Sequence, residues 1–237
     1  MPQLTAPARE GLAVALGVTC VVGLVAWLLP EKWHTTLVGV TFLSATWVLV
    51  WRRDDATVQR AGLTLGGLVI PGPIEPAVLL RAMLRAVAWA VGLLVVVAVP
   101  FYFGWRAWFS HFMPQLTFSL AVRPGEAANE VLGQFFVIAL PEEAFYRGYL
   151  QSRLDEAWAP RWNLLGARVG PGWIVAAIVF ALGHVVTVHS ATRLAVFFPA
   201  LVFGWLRART GGIGAGATFH MLCNVYSMTL GRGFGVY

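Results

Sequence analysis

Seven apolar runs constrain the fold of this chain more than any other feature of its sequence. An α-helix of about 20 apolar residues spans the hydrocarbon core of a bilayer, and most of these runs have about that length. Charged residues make up only 12% of the 237 residues, and the mean hydropathy is +0.71. These values exclude a disordered chain, a coiled coil and an ordinary water-soluble enzyme. The sequence therefore predicts an all-α fold, a polytopic transmembrane helical bundle of about seven (six to eight) spans, as a single membrane domain over residues 1–237. The runs are residues 11–29, 35–51, 82–103, 130–150, 173–188, 194–206 and 213–230.

The basic residues predict how this bundle is oriented, because cytoplasmic loops carry an excess of Lys and Arg. With the N-terminus in the cytoplasm, 11 of the 17 basic residues lie on the cytoplasmic side and five on the far side, and Arg147 lies within the membrane. We therefore expect an integral protein of the cell inner membrane, with the C-terminus on the side opposite the N-terminus. The cytoplasmic set is Arg9, Arg52, Arg53, Arg60, Arg81, Arg85, Arg153, Arg161, Arg168, Arg207 and Arg209, and the far set is Lys32, Arg106, Arg123, Arg193 and Arg232.

The basic residues, the segments between the apolar runs and the two cysteines give further expectations about binding partners and local structure. Basic residues form no stripe with interleaved aromatics, so the expected partner is the lipid bilayer and not nucleic acid. Residues 62–76 are rich in Pro and Gly and predict a loop or a broken interfacial piece. Residues 104–125 are aromatic and contain Pro114, and their composition leaves a span, an interfacial segment and a short helical excursion open. Cys20 and Cys223 lie in apolar stretches and are expected to be buried free thiols.

The fourth run contains charged residues that an apolar span does not need. Each costs roughly 2.5–3.5 kcal/mol on insertion, so an ionisable residue in a span is a functional candidate. Glu143 and Arg147 are four residues apart and can pair on one helix face. Glu142 is turned about 100° away from that face and stays free to take and return a proton. An ion pair that merely closes the end of the span would leave Glu142 unexplained.

Two later runs carry histidines at a similar depth. His184 follows Gly183, which would let another backbone or a substrate approach closely. His220 and Asn224 share one helix face. Counted from the cytoplasmic ends of their helices, Glu142, His184 and His220 lie about 11–17 Å deep. Each histidine alone is equally typical of a hydrogen-bonded core residue, but at one level of one bundle they predict a single polar site.

In their order, these motifs resemble those of a known family. Glu142-Glu143-x-x-x-Arg147, Phe180-x-x-x-His184 and His220-x-x-x-Asn224 are similar to the three motifs of the CPBP (Abi) intramembrane proteases, which include CAAX-processing and bacteriocin-processing proteins. The resemblance covers about residues 130–230, a CPBP-like catalytic core, and leaves the first 120 or so residues unmatched. It implies a glutamate-dependent endopeptidase with Glu142 and His184 on the attacking water and His220 and Asn224 at the oxyanion.

The residue types suit that chemistry. Peptide hydrolysis needs a base for water, a donor for the oxyanion and an acid for the leaving amine. Glu143 and Arg147 are expected to support the site structurally. No Ser or Cys stands at helical spacing from a base, so an acyl-enzyme is not expected. No cofactor is expected. The alternative is a zinc ion on Glu142, His184 and His220, which lack the spacing that places two histidines on one helical turn.

Other functions stay open on the sequence alone. The same fold could serve as a non-catalytic membrane scaffold or immunity module. Intramembrane Glu and His could also relay protons in a transporter, although no internal repeat of two halves supports this. The expected partner is a peptide or protein substrate at the membrane. A prenylated CAAX end, a peptide precursor and a C-terminal anchor fit the sequence equally well.

Overall fold

The computed structural model describes residues 4–112, 117–119 and 124–236. Each of the seven apolar runs is helical, so the all-α prediction is confirmed. The helices are α1 (Ala6–Leu28), α2 (Glu31–Thr46), α3 (Asp55–Arg60), α4 (Pro76–Phe112), α5 (Pro124–Gly133), α6 (Leu140–Glu143), α7 (Ser152–Ala157), α8 (Pro171–Val188), α9 (Phe197–Thr210) and α10 (Gly214–Gly233), with 3₁₀ turns at Leu65–Gly67 and Ala191–Val196 and a π-helical turn at Trp47–Trp51.

The protein is an integral membrane protein by the length and composition of its helices. Within the described residues, five helical stretches are long and apolar enough to cross a bilayer. The helices at residues 124–157 and 214–233, which hold most of the polar candidates, are not among the five, and the total of seven spans stays a prediction. The five are Ala6–Leu28, Glu31–Trp51, Pro76–His111, Pro171–Val188 and Ala191–Thr210.

One long helix forms the centre of the bundle. Helices α5, α6 and α7 are joined by π-helical segments at Gln134–Ala139 and Ala144–Gln151 into a continuous helical run over residues 124–157, here called the central helix. Every residue from Pro141 to Gln151 is buried. Helices α1, α2, α8, α9 and α10 all contact the central helix. A charged motif on this helix is therefore surrounded by protein and not by lipid.

The first π-helical segment is the point where α2 approaches the central helix most closely. Pro141 has no N–H to donate to the carbonyl of Val137, four residues earlier. Gly39 of α2 lies against this same carbonyl, and a Cβ at Gly39 would stand 2.3 Å from its oxygen. Only glycine permits that approach. Local π-helical geometry is frequent near functional sites, and here it lies one turn before Glu142.

Contacts at the two ends of the bundle agree with the predicted alternation of the spans. At one end, Arg153 of α7 pairs with Glu10 of α1, and Arg207 of α9 donates to the Arg60 carbonyl over 2.8 Å. The opposite end holds the ion pair of Arg232 with Glu130. Arg60, Arg153 and Arg207 thus lie at one end and Arg232 at the other, in agreement with the predicted division of these four residues. Which end faces the cytoplasm stays a prediction.

A short β-hairpin at the first of these ends was not predicted. Strands β1 (Trp162–Leu164) and β2 (Ala167–Val169) pair antiparallel, with Trp162 opposite Val169. Leu165 and Gly166 form the two-residue turn with φ of 48° and 78°, as a type I′ hairpin requires. The Trp205 indole of α9 donates to the Leu164 carbonyl over 2.8 Å, which fixes the hairpin to the bundle.

The remaining sequence expectations have mixed outcomes. Residues 62–76 are turns around one 3₁₀ turn, as predicted. Residues 104–112 continue α4, whereas residues 113–116 and 120–123, with Pro114 and Arg123, lie outside the described residues. Both cysteines are free thiols, as predicted, but the predicted burial was wrong for Cys20, which is exposed, while Cys223 is half-buried.

The contact of Gly39 yields a test of how the bundle is packed. We expect Gly39→Ala to lower the melting temperature of the purified protein in detergent by several degrees, because its Cβ must push α2 away from the Val137 carbonyl. Gly17→Ala on α1 is the matched control, since a Cβ there meets nothing within 4 Å and alanine favours a helix. Equal melting temperatures for both variants would contradict the close packing of α2.

Candidate active site

A buried ion pair on the central helix lies at the base of the site. The Glu143 and Arg147 side chains are 0% and 1% exposed, and Arg147 Nη1 lies 3.1 Å from Glu143 Oε1. The Arg147 guanidinium stands 4.3 Å from the ring centre of Phe180 and donates from Nη2 to the Ala200 carbonyl over 3.1 Å. The predicted pairing across one helical turn is thus present. It anchors the central helix to α8 and α9.

His220 of α10 contacts the same carboxylate. Its Nδ1 donates to Glu143 Oε1 over 3.2 Å, and its ring stacks on Phe203 of α9 at 4.6 Å. A Cβ at Gly216, one turn earlier on α10, would lie 3.3 Å from Glu143 Oε2 and from the Phe203 carbonyl. The lack of a side chain at Gly216 therefore permits α10 to pack closely against the central helix and α9. Together these contacts fix the orientation of the His220 ring.

Glu142 faces the two histidines. Its Oε2 lies 3.9 Å from His184 Nε2 and 3.8 Å from His220 Nε2. The Nδ1 atom of His184 donates to the Phe180 carbonyl over 3.0 Å. In the neutral ring the lone pair of His184 is therefore on Nε2, toward Glu142. The three predicted side chains from three separate helices meet at one carboxylate oxygen.

A small cavity adjoins this carboxylate. Its volume is about 30 Å³, which is enough for a water molecule. In the described part of the chain, Glu142 Oε2 is buried and accepts no hydrogen bond from a protein group. A water oxygen about 2.8 Å from both Glu142 Oε2 and His184 Nε2 would bridge the gap between them. The lining residues are Thr19, Val22, Val38, Phe42, Glu142, Tyr146, Gly183, His184 and Thr187.

Asn224 has a different partner from the other three predicted residues. It lies one turn beyond His220 on α10, and its Nδ2 donates to Gln134 Oε1 of the central helix over 2.9 Å. Gln134 lies in the first π-helical segment and was not predicted from the sequence. The amide nitrogen of Asn224 carries a second hydrogen, which leaves it one donor beyond the bond to Gln134.

The zinc alternative can be compared with the same geometry. Two ligands at about 2.0–2.1 Å from a tetrahedral zinc ion lie about 3.3–3.4 Å apart. The Glu142 oxygen lies roughly half an ångström farther than that from each histidine nitrogen. Among the described residues, no group of three or more His, Cys, Asp or Glu is arranged to hold a metal ion. Glu142, His184 and His220 are nevertheless the side chains that would hold a zinc ion. A zinc ion held there would polarise a bound water molecule and the carbonyl oxygen of a substrate.

Comparison with known proteins gives the site a family. Residues 124–226 match a family model described as type II CAAX prenyl endopeptidase Rce1-like. The matched segment comprises 103 of the 237 residues, and over it the chain is similar to the Rce1-like family. The resemblance drawn from the three motifs is thereby confirmed. The comparisons with curated proteins and with solved structures give no match. Similarity to a family of CAAX proteases supports a hydrolase, and the long apolar helices support an integral membrane protein.

The cavity also includes residues that lie outside the Rce1-like segment. Thr19 and Val22 of α1 and Val38 and Phe42 of α2 line it, although neither helix carries a recognisable motif. Their spacing alone could not distinguish a cavity wall from a lipid-facing surface. Helices α1 and α2 therefore contribute directly to the shape of the candidate active site.

Tyr146 is a second lining residue that sequence reasoning missed. A Cβ at Gly183 would stand 2.7 Å from the Tyr146 hydroxyl, so the absent side chain at Gly183 makes room for this hydroxyl. The Tyr146 and Thr19 side chains are hydrogen-bonded. The predicted close approach at Gly183 is thus made by a tyrosine of the central helix.

The buried ion pair predicts a large stability effect. Arg147→Ala leaves Glu143 buried without its main counter-charge, which typically costs about 3–5 kcal/mol. We expect a much lower melting temperature in detergent and a lower yield from membranes, with activity falling in proportion to the folded fraction. Arg161→Ala, at an exposed hairpin position, should leave stability within about 0.5 kcal/mol. An Arg147→Ala variant as stable as the wild type would contradict the role given to the pair.

Proposed function

We propose that this protein is an intramembrane endopeptidase in which Glu142 activates water, acting on a membrane-associated or C-terminally anchored substrate. The observation that carries the proposal is the buried, unbonded Glu142 oxygen, which faces two histidines beside a cavity with room for water. A scaffold needs neither two histidines at this carboxylate nor a cavity with room for water beside it, and burying a carboxylate is costly.

The first step is attack by water on the substrate carbonyl. The water lies between Glu142 and His184 and donates one proton to Glu142, while its oxygen forms a bond to the carbonyl carbon. His184 accepts the second hydrogen at Nε2, because its Nδ1 proton is committed to the Phe180 carbonyl. This hydrogen bond orients the water toward the carbonyl. The carbonyl π electrons move onto oxygen and form the tetrahedral oxyanion.

The oxyanion is stabilised by donors on α10. His220 stands 3.2 Å from Glu143 and 3.8 Å from Glu142. Since Glu143 holds its Nδ1, Nε2 is the ring nitrogen that is left to face the oxyanion, and it donates there when the ring carries a proton on Nε2. Asn224 contributes the amide hydrogen that is not bonded to Gln134. When the intermediate collapses, the carbon–nitrogen bond breaks and Glu142 returns its proton to the leaving amine.

The substrate class follows from the family description. The name of the family model refers to CAAX prenyl endopeptidases, so a prenylated peptide that ends in a CAAX sequence is the first substrate to test. A prenyl chain would hold such a peptide at the bilayer surface, near the end of the bundle from which the depth of the site was counted.

The decisive variant is Glu142→Gln. The amide keeps the size of the side chain but cannot accept the proton, so we expect cleavage of a fluorogenic farnesylated CAAX peptide to fall by at least about 1,000-fold. The melting temperature should stay near that of the wild type. Glu75→Gln, in an exposed loop, is the control for the chemical change. Mass spectrometry of membranes with and without Glu142→Gln should show an uncut precursor. Undiminished cleavage by Glu142→Gln would remove the glutamate mechanism, whereas a wild type that cleaves nothing would favour a non-catalytic role.

Metal dependence is tested separately. A water held by Glu142 and His184 needs no ion, so EDTA or phenanthroline should leave the activity of the purified protein nearly intact. Elemental analysis should give far less than one zinc per chain. Stoichiometric zinc, together with activity that is lost on chelation and restored by added zinc, would instead assign Glu142, His184 and His220 as ligands.

A further inference from the structure

The further inference concerns Gln134, a polar side chain in the first π-helical segment that the three motifs do not include. Gln134 is half-buried and lies nine residues before Glu143 on the central helix. Its Oε1 accepts the hydrogen bond from Asn224 Nδ2 over 2.9 Å, and its Nε2 donates to Met228 Sδ over 3.0 Å. A glutamine on an apolar helix thus has both ends of its amide engaged by α10.

The two bonds fix the orientation of both amides. A thioether sulfur can accept a hydrogen bond but cannot donate one. Met228 therefore holds the NH₂ end of Gln134, and the carbonyl end of Gln134 faces Asn224. That carbonyl in turn holds one N–H of Asn224. These two bonds therefore fix the orientation of the Asn224 amide group, and with it the direction of its second N–H.

The arrangement repeats along one face of α10. His220, Asn224 and Met228 are spaced by four residues and share this face. Glu143 engages the first of them, and Gln134 engages the other two. The central helix therefore holds both proposed oxyanion donors through side-chain acceptors, a carboxylate for His220 and an amide oxygen for Asn224.

We propose that Gln134 is a positioning residue that orients the Asn224 amide toward the oxyanion. The inference rests on the proposed function, because it assumes the role given to Asn224. Gln134 acts through Asn224 and does not touch the substrate. A side chain that only linked two helices would contribute to stability without coupling to Asn224.

The first test reads the orientation without a substrate. The chain has three asparagines, Asn129, Asn163 and Asn224, so selective ¹⁵N-asparagine labelling gives three side-chain amide pairs by NMR in detergent. Asn129 and Asn163 are exposed, whereas Asn224 is half-buried. We expect one pair with well-separated proton shifts and slow exchange, and this pair should disappear in Asn224→Ala. Gln134→Met should collapse the separation and speed the exchange of this pair.

Gln151→Met is the matched control. Gln151 lies on the same helix and makes the same kind of interhelical bond, from its Nε2 to the Gly204 carbonyl of α9 over 3.3 Å. The substitution is identical and also removes an interhelical hydrogen bond, but on the side away from Asn224. It should leave the Asn224 amide pair unmoved. An Asn224 pair unaffected by Gln134→Met would overturn the inference.

The second test reads the function with the farnesylated CAAX peptide. We expect Gln134→Met to lower kcat by roughly 10- to 100-fold, since misplacing a group by about 1 Å can have that effect, while KM changes less than about threefold. In an Asn224→Ala background, Gln134→Met should have no further effect on kcat. If it lowers kcat by the same factor in both backgrounds, Gln134 does not act through Asn224 and the inference fails. Cleavage that survives Glu142→Gln, or a wild type that does not cleave the peptide, would count against the proposed function. In either case the NMR measurement, which needs no substrate, still tests whether Gln134 orients Asn224.

Discussion

The structure depends on one buried carboxylate, that of Glu143. It is fully buried, pairs with Arg147 one turn along the central helix and accepts a hydrogen bond from His220 of α10. A lone charge at this depth would be unfavourable, and a counter-charge with further contacts offsets part of that cost. Arg147 also packs on Phe180 and donates to the Ala200 carbonyl. The polar centre thus holds α8, α9 and α10 against the central helix.

The same arrangement explains how two neighbouring glutamates have different tasks. Glu143 faces a cation, and its Oε1 is held by both Arg147 and His220, so it is a structural charge. Glu142 points about 100° away, toward His184, His220 and the small cavity. The ion pair fixes the rotation of the helix, and that rotation aims Glu142 at the cavity. In the proposed reaction, the pair does no chemistry but decides where the chemistry occurs.

The fold was predictable from the sequence because a bilayer imposes strong rules. Lipid offers no hydrogen bonds, so an apolar run of sufficient length must be helical, and all seven predicted runs are helical. The three charged or polar motifs were equally visible, since polar residues stand out against apolar surroundings. The hairpin at residues 162–169 and the π-helical segments were not visible, because they arise from a few backbone contacts such as that of Gly39 with Val137.

By itself, the sequence determined the helical class and the residues that an apolar environment would not keep without a reason: Glu142, Glu143, Arg147, His184, His220 and Asn224. Only the tertiary structure decided which of these six side chains contact one another. Glu142 meets the two histidines, whereas Asn224 is bonded to Gln134. It also brought Thr19, Phe42 and Tyr146 to the cavity. Helical spacing determines which residues share a face of one helix. Contacts between helices depend instead on how closely the helix backbones approach each other. Packing at residues such as Gly39, Gly183 and Gly216 sets that distance.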